Sequence, residues 1–551
     1  MHSHQWFVTE DADGEASTVH IFGKDAEGNG QHWIASGYRP RLTMHVHDIS
    51  AWGTTQKGGG KIVDELLSWL RKQSYFAHGS DKAARFKKDD ILYEDDVYDD
   101  NTSVNMYGYQ GDRKLNVYCF SVSSITQRTS LLRYLNGERG RSASPVGQYS
   151  LFDIQAPDHE IAYLTKSVHQ TWLLAKSPST PNHGGGETEC EFSDIEQDRQ
   201  MIVDGTPAYT TQMFFDIETF ASREGTMDCD PTIAGDVVFM IAVHIVKRLG
   251  MTIVEKHTEV LYLLPDGDQD LTEIRDDEIE SYQLSRFRTE SKMLMAFAAL
   301  FHRHDVQYVC GYNSSEFDWP YIWERASFLG IHDAFAIAMS RLGSDSPAFL
   351  TKRVTKTKQA GKREFFVLTC PGVVDLDILR FVKNFQQSGK YTNHKLDTIL
   401  SVELGLHKKD MSYQRLYAAY REKNISELNM VAQYAVGDTL PLDALAKTLD
   451  VLNRMVGVAD IAVIPIQEVM YRGITNSCTN KIYHKTRSIA YSLPYKPINT
   501  MRRQDAAETG DGTTYGFIDD DEDEDNSESK RIVFLHRCAY GFPVDLIASI
   551  Y

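Results

Sequence analysis

Three consecutive segments, Gln212–Ile217, Val237–Val246 and Thr252–Leu264, are rich in Val, Ile, Phe and Met and read as adjoining strands. Beyond them the pattern alternates. Thr289 is placed to cap a helix in which Met293, Leu294, Phe297, Leu300 and Phe301 recur at helical spacing. Val306–Cys310 is a short buried strand, Gly311 a turn, and a second helix opens near Pro320. A basic hairpin from Lys352 to Arg363, a strand ending Val373-Val374-Asp375, and a long helix from about Ser426 complete the run. Strands first, then helices and strands in alternation, predict a mixed α/β sheet.

The region before it has another texture. Val19–Phe22 precedes a Gly-Lys-Asp turn and His32–Ala35 precedes Ser36-Gly37, as in a β-rich domain. Ser177–Thr188 is a Pro/Gly/Ser-rich linker. The expected division is residues 1–200, 201–455 and 456–551, within the range of domain sizes for a 551-residue chain.

Charge looks unfavourable for a nucleic-acid partner, since 77 acids against 58 Lys plus Arg give −19. The acids are unevenly spread, however. Asp89–Asp100 holds seven acids and Asp519–Glu528 eight, neither with a base, so the rest of the chain sits near −4. Both blocks are expected to be solvated inserts. The seven cysteines are dispersed without a C-x-x-C pair, which predicts reduced thiols and neither a disulfide framework nor a zinc site. Met1–Trp6 lacks the pattern of a signal peptide, and the ten-residue run Val237–Val246 is too short to cross a bilayer. A soluble, intracellular protein is expected.

Three polar clusters stand out. In Phe214-Phe215-Asp216-Ile217-Glu218-Thr219, strand alternation puts Asp216 and Glu218 on one face and Phe215 and Ile217 on the other. Two carboxylates side by side repel unless a cation lies between them, and hard oxygen donors suit Mg²⁺ or Mn²⁺. On its own the pair is a weak signal, since such a pair is usually just a solvated strand face. In Gly311-Tyr312-Asn313-Ser314-Ser315-Glu316-Phe317-Asp318-Trp319-Pro320-Tyr321, Asp318 reads alone as a helix N-cap, Asn313 as a turn residue and Phe317 as core. In Tyr434-Ala435-Val436-Gly437-Asp438, the phenol and carboxylate share a helical face.

Taken in order, the clusters closely resemble the three exonuclease motifs of family B DNA polymerases: F-D-I-E-T, G-Y-N-x-x-x-F-D-x-P-Y and Y-x-x-x-D. Arg325-Ala326 after the second motif, Gly372-Val373-Val374-Asp375, and His394-Lys395-Leu396 are also similar to that family. Toward the N-terminus, so are Ile21-Phe22-Gly23 and Gly37-Tyr38-Arg39-Pro40. The resemblance covers most of the chain and is strongest between Phe214 and Asp443.

The resemblance implies a ribonuclease H-like exonuclease domain, a β-rich N-terminal domain and an incomplete start of a polymerase palm. It implies 3′–5′ hydrolysis of mismatched primer ends during DNA replication with two ions, Mg²⁺ or Mn²⁺, about 4 Å apart. Asp216 would bridge them, Glu218 and Asp438 would complete one site, and Asp318 would serve the other. Tyr434 would orient the attacking water; with a reference pKa near ~10 it is a poor base at neutral pH. Asn313 and Phe317 are expected to grip the terminal nucleotides. Lys352, Arg353, Lys356, Lys358, Lys362 and Arg363 form a hairpin that reads either as a phosphate contact or as a solvated loop, and the resemblance favours DNA. Asn480–Ser488 and Arg502-Arg503 are weaker basic candidates.

Polymerisation requires more. Ser549-Ile550-Tyr551 is similar to part of the first palm motif, but Asp545 stands one residue early. Tyr515-Gly516-Phe517 is a degraded linker motif, and the second palm motif, fingers and thumb are not found. The expected partners are a DNA primer–template or single-stranded 3′ end, and a second chain bearing palm, fingers and thumb. The expected setting is a replication site in nucleus, cytoplasm or viral factory. Two other readings stay open: a non-catalytic polymerase-like scaffold that binds DNA or partner subunits, and a stand-alone RNA exonuclease of the same fold.

Overall fold

The computed structural model describes residues 1–12, 14–46, 60–73, 90–94, 103–106, 114–136, 144, 149–152, 171–178, 187–223, 225–226, 228–265, 269–274, 281–357, 361–386, 389–407, 411–471, 477–478, 480–481 and 491–492. Two compact units emerge, one formed by residues 1–7, 20–35 and 165–474, the other by 8–19, 36–164 and 475–551.

The first unit is built on a six-stranded sheet. Its spatial order is Gln283–Phe287, Thr252–Leu263, Val237–Leu249, Tyr209–Phe220, Tyr308–Gly311, Val374–Asp377. The three strands expected from their apolar runs form an antiparallel meander, and Tyr308–Gly311 and Val374–Asp377 add parallel to it. This is the ribonuclease H-like arrangement. The strand Gln283–Phe287 was not expected; it is a half-exposed edge strand of sequence QLSRF, pairing parallel to Thr252–Leu263. Edge strands need little apolar patterning, so this one leaves a weak sequence signal.

Both faces of the sheet are covered. Phe215 and Ile217 pack into one core with Met293, Leu294, Phe297 and Trp319, while Phe214 packs into another with Tyr308, Leu442 and Leu445. The helix Glu290–Arg303 begins where expected, with the Thr289 side chain accepting from Lys292 N–H. The long helix Ile425–Thr448, capped by Asn424, contributes Val431, Ala432, Ala435 and Val436 to the first core and Leu442, Leu445 and Ala446 to the second. It continues through Pro441, whose missing N–H leaves the Gly437 carbonyl without its helical donor one residue before Asp438.

Residues near the N-terminus are locked into this unit. Buried Lys24 donates to Thr211 Oγ1 at 2.5 Å and pairs with Asp305 at 3.1 Å, and Arg341 closes on the same carboxylate. His4 Nε2 meets the Gly372 carbonyl at 2.9 Å.

The second unit holds another six-stranded sheet, including Arg41–Val46, Lys114–Val122, Tyr149–Phe152 and Ile91–Tyr93, with Leu42, Met44, Trp69, Leu70, Tyr118 and Phe120 in its core. Here one expectation is corrected. The acidic block 89–100 is not wholly a solvated insert: Ile91–Tyr93 is a strand, Ile91 is buried, and the Asp90 carboxylate accepts from Ser123 and Gln127. The uncharged triplet Ile91-Leu92-Tyr93 outweighs the charge run because Ile91 reaches the core. The rest of that block beyond Glu94, the block 519–528, residues 179–186 of the linker, Tyr515–Phe517, Arg502-Arg503, Asp545 and Ser549–Tyr551 lie outside the described residues. The six described cysteines are free thiols, as expected, and no described helix is long and apolar enough to cross a membrane.

Candidate functional site

Strand alternation works as the pattern predicts. Asp216 and Glu218 are half-exposed on one face while Phe215 and Ile217 are buried on the other. The register shifts after Glu218, where an irregularity interrupts the pairing with Val237–Leu249. The helix Ile425–Thr448 crosses this strand end and lowers Asp438, 4% exposed, onto the pair. Carboxylate oxygens of Asp216, Glu218 and Asp438 all lie within 4.8 Å of one another. Three acids converging on so small a volume form a site that can hold a divalent cation. Tyr434 lies one helical turn before Asp438 and is half-buried.

Asp318 arrives by a different route. Strand Tyr308–Gly311 ends at a glycine that is sterically required, since a Cβ there would lie 2.5 Å from Ser314 Cβ. Asn313 then takes a left-handed conformation at φ +70°, which Asn tolerates better than most residues. Its carbonyl accepts from the N–H groups of Glu316 and Phe317, and the helix Asp318–Phe328 begins. Pro320 falls at the third helical position, where its missing N–H is harmless.

The N-cap reading of Asp318 does not hold. Phe317 occupies the cap position without a side-chain bond, and Asp318 is the first helical residue, 3% exposed. Its Oδ1 is buried without a hydrogen-bond partner. Burial first, then the charge of Asp216, push the Asp318 acid well above the usual carboxylate range, opposed by hydrogen bonding from backbone including Ile217. Asp318 therefore faces the strand segment that carries Asp216 and Glu218. An orphaned, buried carboxylate oxygen beside a second carboxylate suits a cation far better than an empty apolar wall. The donor set, four carboxylates, fits a hard divalent ion.

Phe317 is not core: it is 43% exposed, with its ring 5.9 Å from that of Tyr321. Asn313 is half-buried and donates its N–H to Asp377 at 3.1 Å. The basic hairpin forms as expected, from Phe349–Thr357 and Gly361–Thr369. Its base is tied to the Asp318 loop, because Phe366 N–H donates to the Ser315 carbonyl at 2.8 Å. Lys352 pairs with Glu364 at 2.6 Å across the strands, so the run of bases is partly neutralised by an acid just beyond it. Arg353 is half-buried; Lys358 lies outside the described residues, and for Lys356, Lys362 and Arg363 only the backbone is described. Of Asn480–Ser488, only Asn480 and Lys481 are described.

Sequence reasoning named Arg325 and Asp375 only as points of resemblance, gave neither a role, and missed Glu290. Glu290 and Arg325 form a buried pair in which Arg325 also donates to the carbonyls of Pro231 and Ile233, both at 2.9 Å. Asp375 accepts from Trp319 Nε1 at 2.9 Å and from the Tyr471 hydroxyl at 2.6 Å, and burial pushes its acid up to about 7. Their partners are distant in sequence, so no local periodicity signals these roles.

Residues 149–399 match the family described as DNA polymerase family B, exonuclease domain. Similar curated proteins include DNA polymerase 120R of Invertebrate iridescent virus 3, 28% identical over 261 residues, covering 45% of this chain and 21% of that protein. The DNA polymerase catalytic subunit of Epstein-Barr virus (strain B95-8) is 29% identical over 209 residues, 36% of this chain and 19% of the relative. The DNA polymerase delta catalytic subunit of Candida albicans is 25% identical over 205 residues, 37% and 19% respectively. The aligned part of this chain thus spans about a fifth of these relatives. The fold is similar to that of the family B DNA polymerase from the hyperthermophilic archaeon Pyrobaculum calidifontis, with a TM-score of 0.56 and 15% identity over 91% of this chain and 52% of that one.

Proposed function

We propose that this chain, which carries the exonuclease domain of DNA polymerase family B, removes nucleotides from the 3′ end of DNA by two-metal-ion hydrolysis and so proofreads during replication. The observation that supports this most strongly is the convergence of Asp216, Glu218 and Asp438 within 4.8 Å, with the orphaned Oδ1 of buried Asp318 facing the same strand end.

Asp216, Glu218 and Asp438 would hold one Mg²⁺ or Mn²⁺ ion, and Asp318 with Asp216 the other. Bound there, the ions supply positive charge to the attacking and leaving oxygens of an in-line displacement at phosphorus. The chain's own residues do the rest. The Tyr434 hydroxyl, one turn from Asp438, orients the attacking water by a hydrogen bond. Phe317, exposed beside Tyr321, offers a ring face on which a terminal base stacks. Asn313 offers a side-chain amide to the penultimate nucleotide. The hairpin 349–369 directs the strand toward the site through its tie to Ser315, and its basic residues meet phosphates. The whole role, removal of mismatched primer ends at intracellular replication sites, belongs to the same proposal.

A 5′-labelled mismatched primer–template incubated with purified chain and Mg²⁺ tests this. Stepwise shortening that disappears in Asp216→Ala supports it; preference for RNA over DNA would point to a ribonuclease instead.

A further inference from the structure

The loop that delivers Asp318 is irregular from Tyr312 to Phe317, so something outside it must fix its shape. One side chain makes three hydrogen bonds to it. The carboxylate of Asp377, fully buried at the end of strand Val374–Asp377, accepts five hydrogen bonds. Oδ1 accepts from the N–H groups of Asn313 at 3.1 Å, Leu379 at 2.9 Å and Arg380 at 3.3 Å. Oδ2 accepts from Ser315 N–H at 3.1 Å and Ser315 Oγ–H at 2.6 Å. The bonds to Leu379 and Arg380 cap the helix Ile378–Phe385, an ordinary task for Asp. The bonds to Asn313 and Ser315 are not a capping function.

They have a specific consequence. Asn313 is held at a positive φ, a conformation that costs energy unless its surroundings impose it. Ser315 is fully buried, and its N–H and hydroxyl both end on Asp377 while its carbonyl is taken by Phe366. Removing the acceptor would leave buried donors unpaired, and the loop would reorganise to satisfy them. Three residues beyond Ser315 is Asp318, whose carboxylate must stand opposite Asp216 for the second ion.

We propose that Asp377 is a positioning residue for the second metal site: by clamping Asn313 and Ser315 it sets the height at which Asp318 meets Asp216. This rests on the reading of the four carboxylates as a two-ion centre. Asp377→Asn is the sharp probe. Its remaining oxygen can keep the Asn313, Leu379 and Arg380 bonds, but an amide NH₂ then faces the Ser315 donors. Ser315→Ala removes only the hydroxyl bond and keeps the cap intact.

The test is Mn²⁺ binding to the full chain, followed by electron paramagnetic resonance, alongside Mg²⁺ titration of nuclease rate on a single-stranded oligonucleotide. Wild type is expected to bind two ions. In folded Asp377→Asn the weaker ion should lose about tenfold or more in affinity, in line with other residues that support metal ligands, while the tighter ion is retained. The half-saturating Mg²⁺ concentration should rise in parallel, and Ser315→Ala should show a smaller shift in the same direction. If Asp377→Asn does not fold, Ser315→Ala decides alone. Wild-type affinity for both ions in the folded variants overturns the proposal. Two-ion binding that splits as described, in a chain with no nuclease activity, keeps the positioning role and sinks the exonuclease reading. Binding of fewer than two ions by wild type overturns both.

Discussion

Asp216 lies on a strand and Asp438 near the middle of a helix far along the chain, yet their carboxylate oxygens lie within 4.8 Å of one another. The helix is buried through Val431, Ala435, Leu442 and Leu445, and Asp438 places a carboxylate among these apolar positions, where Asp is a poor helix former. Charges of one sign gathered in a partly buried site point to a bound counter-ion.

Loss of single carboxylates should therefore stop activity while leaving the fold. Asp318→Asn removes a charge and relieves a buried acid, so its apo melting temperature should equal or exceed wild type. Its nuclease rate should fall by about 10²-fold or more, as when one electrostatic partner of a transition state is removed. Calorimetry beside the rate assay checks both halves; a low rate with a lowered melting temperature would indicate simple unfolding.

Tyr434→Phe separates water orientation from metal binding. The ring remains, so Mn²⁺ affinity should match wild type. The rate at saturating Mg²⁺ should fall on the order of 10²-fold, the low end for a positioned polar group. A change in metal affinity instead would make the hydroxyl part of the metal centre.

The buried pair Glu290–Arg325 makes a different prediction, about stability. Glu290 accepts from Arg325 and from Val238 N–H at 2.8 Å, and Arg325 is 1% exposed. Glu290→Ala leaves a buried guanidinium without its counter-charge and should cost about 3–5 kcal/mol. Urea unfolding measures it, and a cost under ~1 kcal/mol would show that the pair is not needed to hold Arg325.

Asp375 should make apo stability depend on pH. Its folded acid is pushed up to about 7 by burial, against an unfolded value near ~3.9. The folded state then holds the proton more tightly than the unfolded state. This contribution is fully present below about pH 4 and is lost as pH rises toward about 7, by at most ~1.4 kcal/mol per pH unit. Asp375→Asn cannot titrate, so its stability relative to wild type should improve across that window and level off above it. Equal pH profiles for the two proteins would refute this.

Much of the site was legible because it is written locally. Asp216 with Glu218, and Tyr434 with Asp438, each follow from one periodicity, and the resemblance supplied their convergence. Spacing alone could not, because the meeting of strand and helix is set by a core spread from Phe214 to Leu445. Asp377 was hidden for another reason. An Asp before Ile378-Leu379 reads as a helix cap, which it is, and its second set of partners at Asn313 and Ser315 is distant in sequence. The edge strand Gln283–Phe287 lacked apolar alternation, and the strand at Ile91 was masked by acids around it.

The most direct measurement is the fate of a 5′-labelled, mismatched primer–template incubated with the full chain and Mg²⁺. The account predicts stepwise shortening from the 3′ end by wild type, abolished by EDTA, by Asp216→Ala and by Asp318→Asn. An intact primer with wild type, or identical shortening by wild type and both variants, would contradict it.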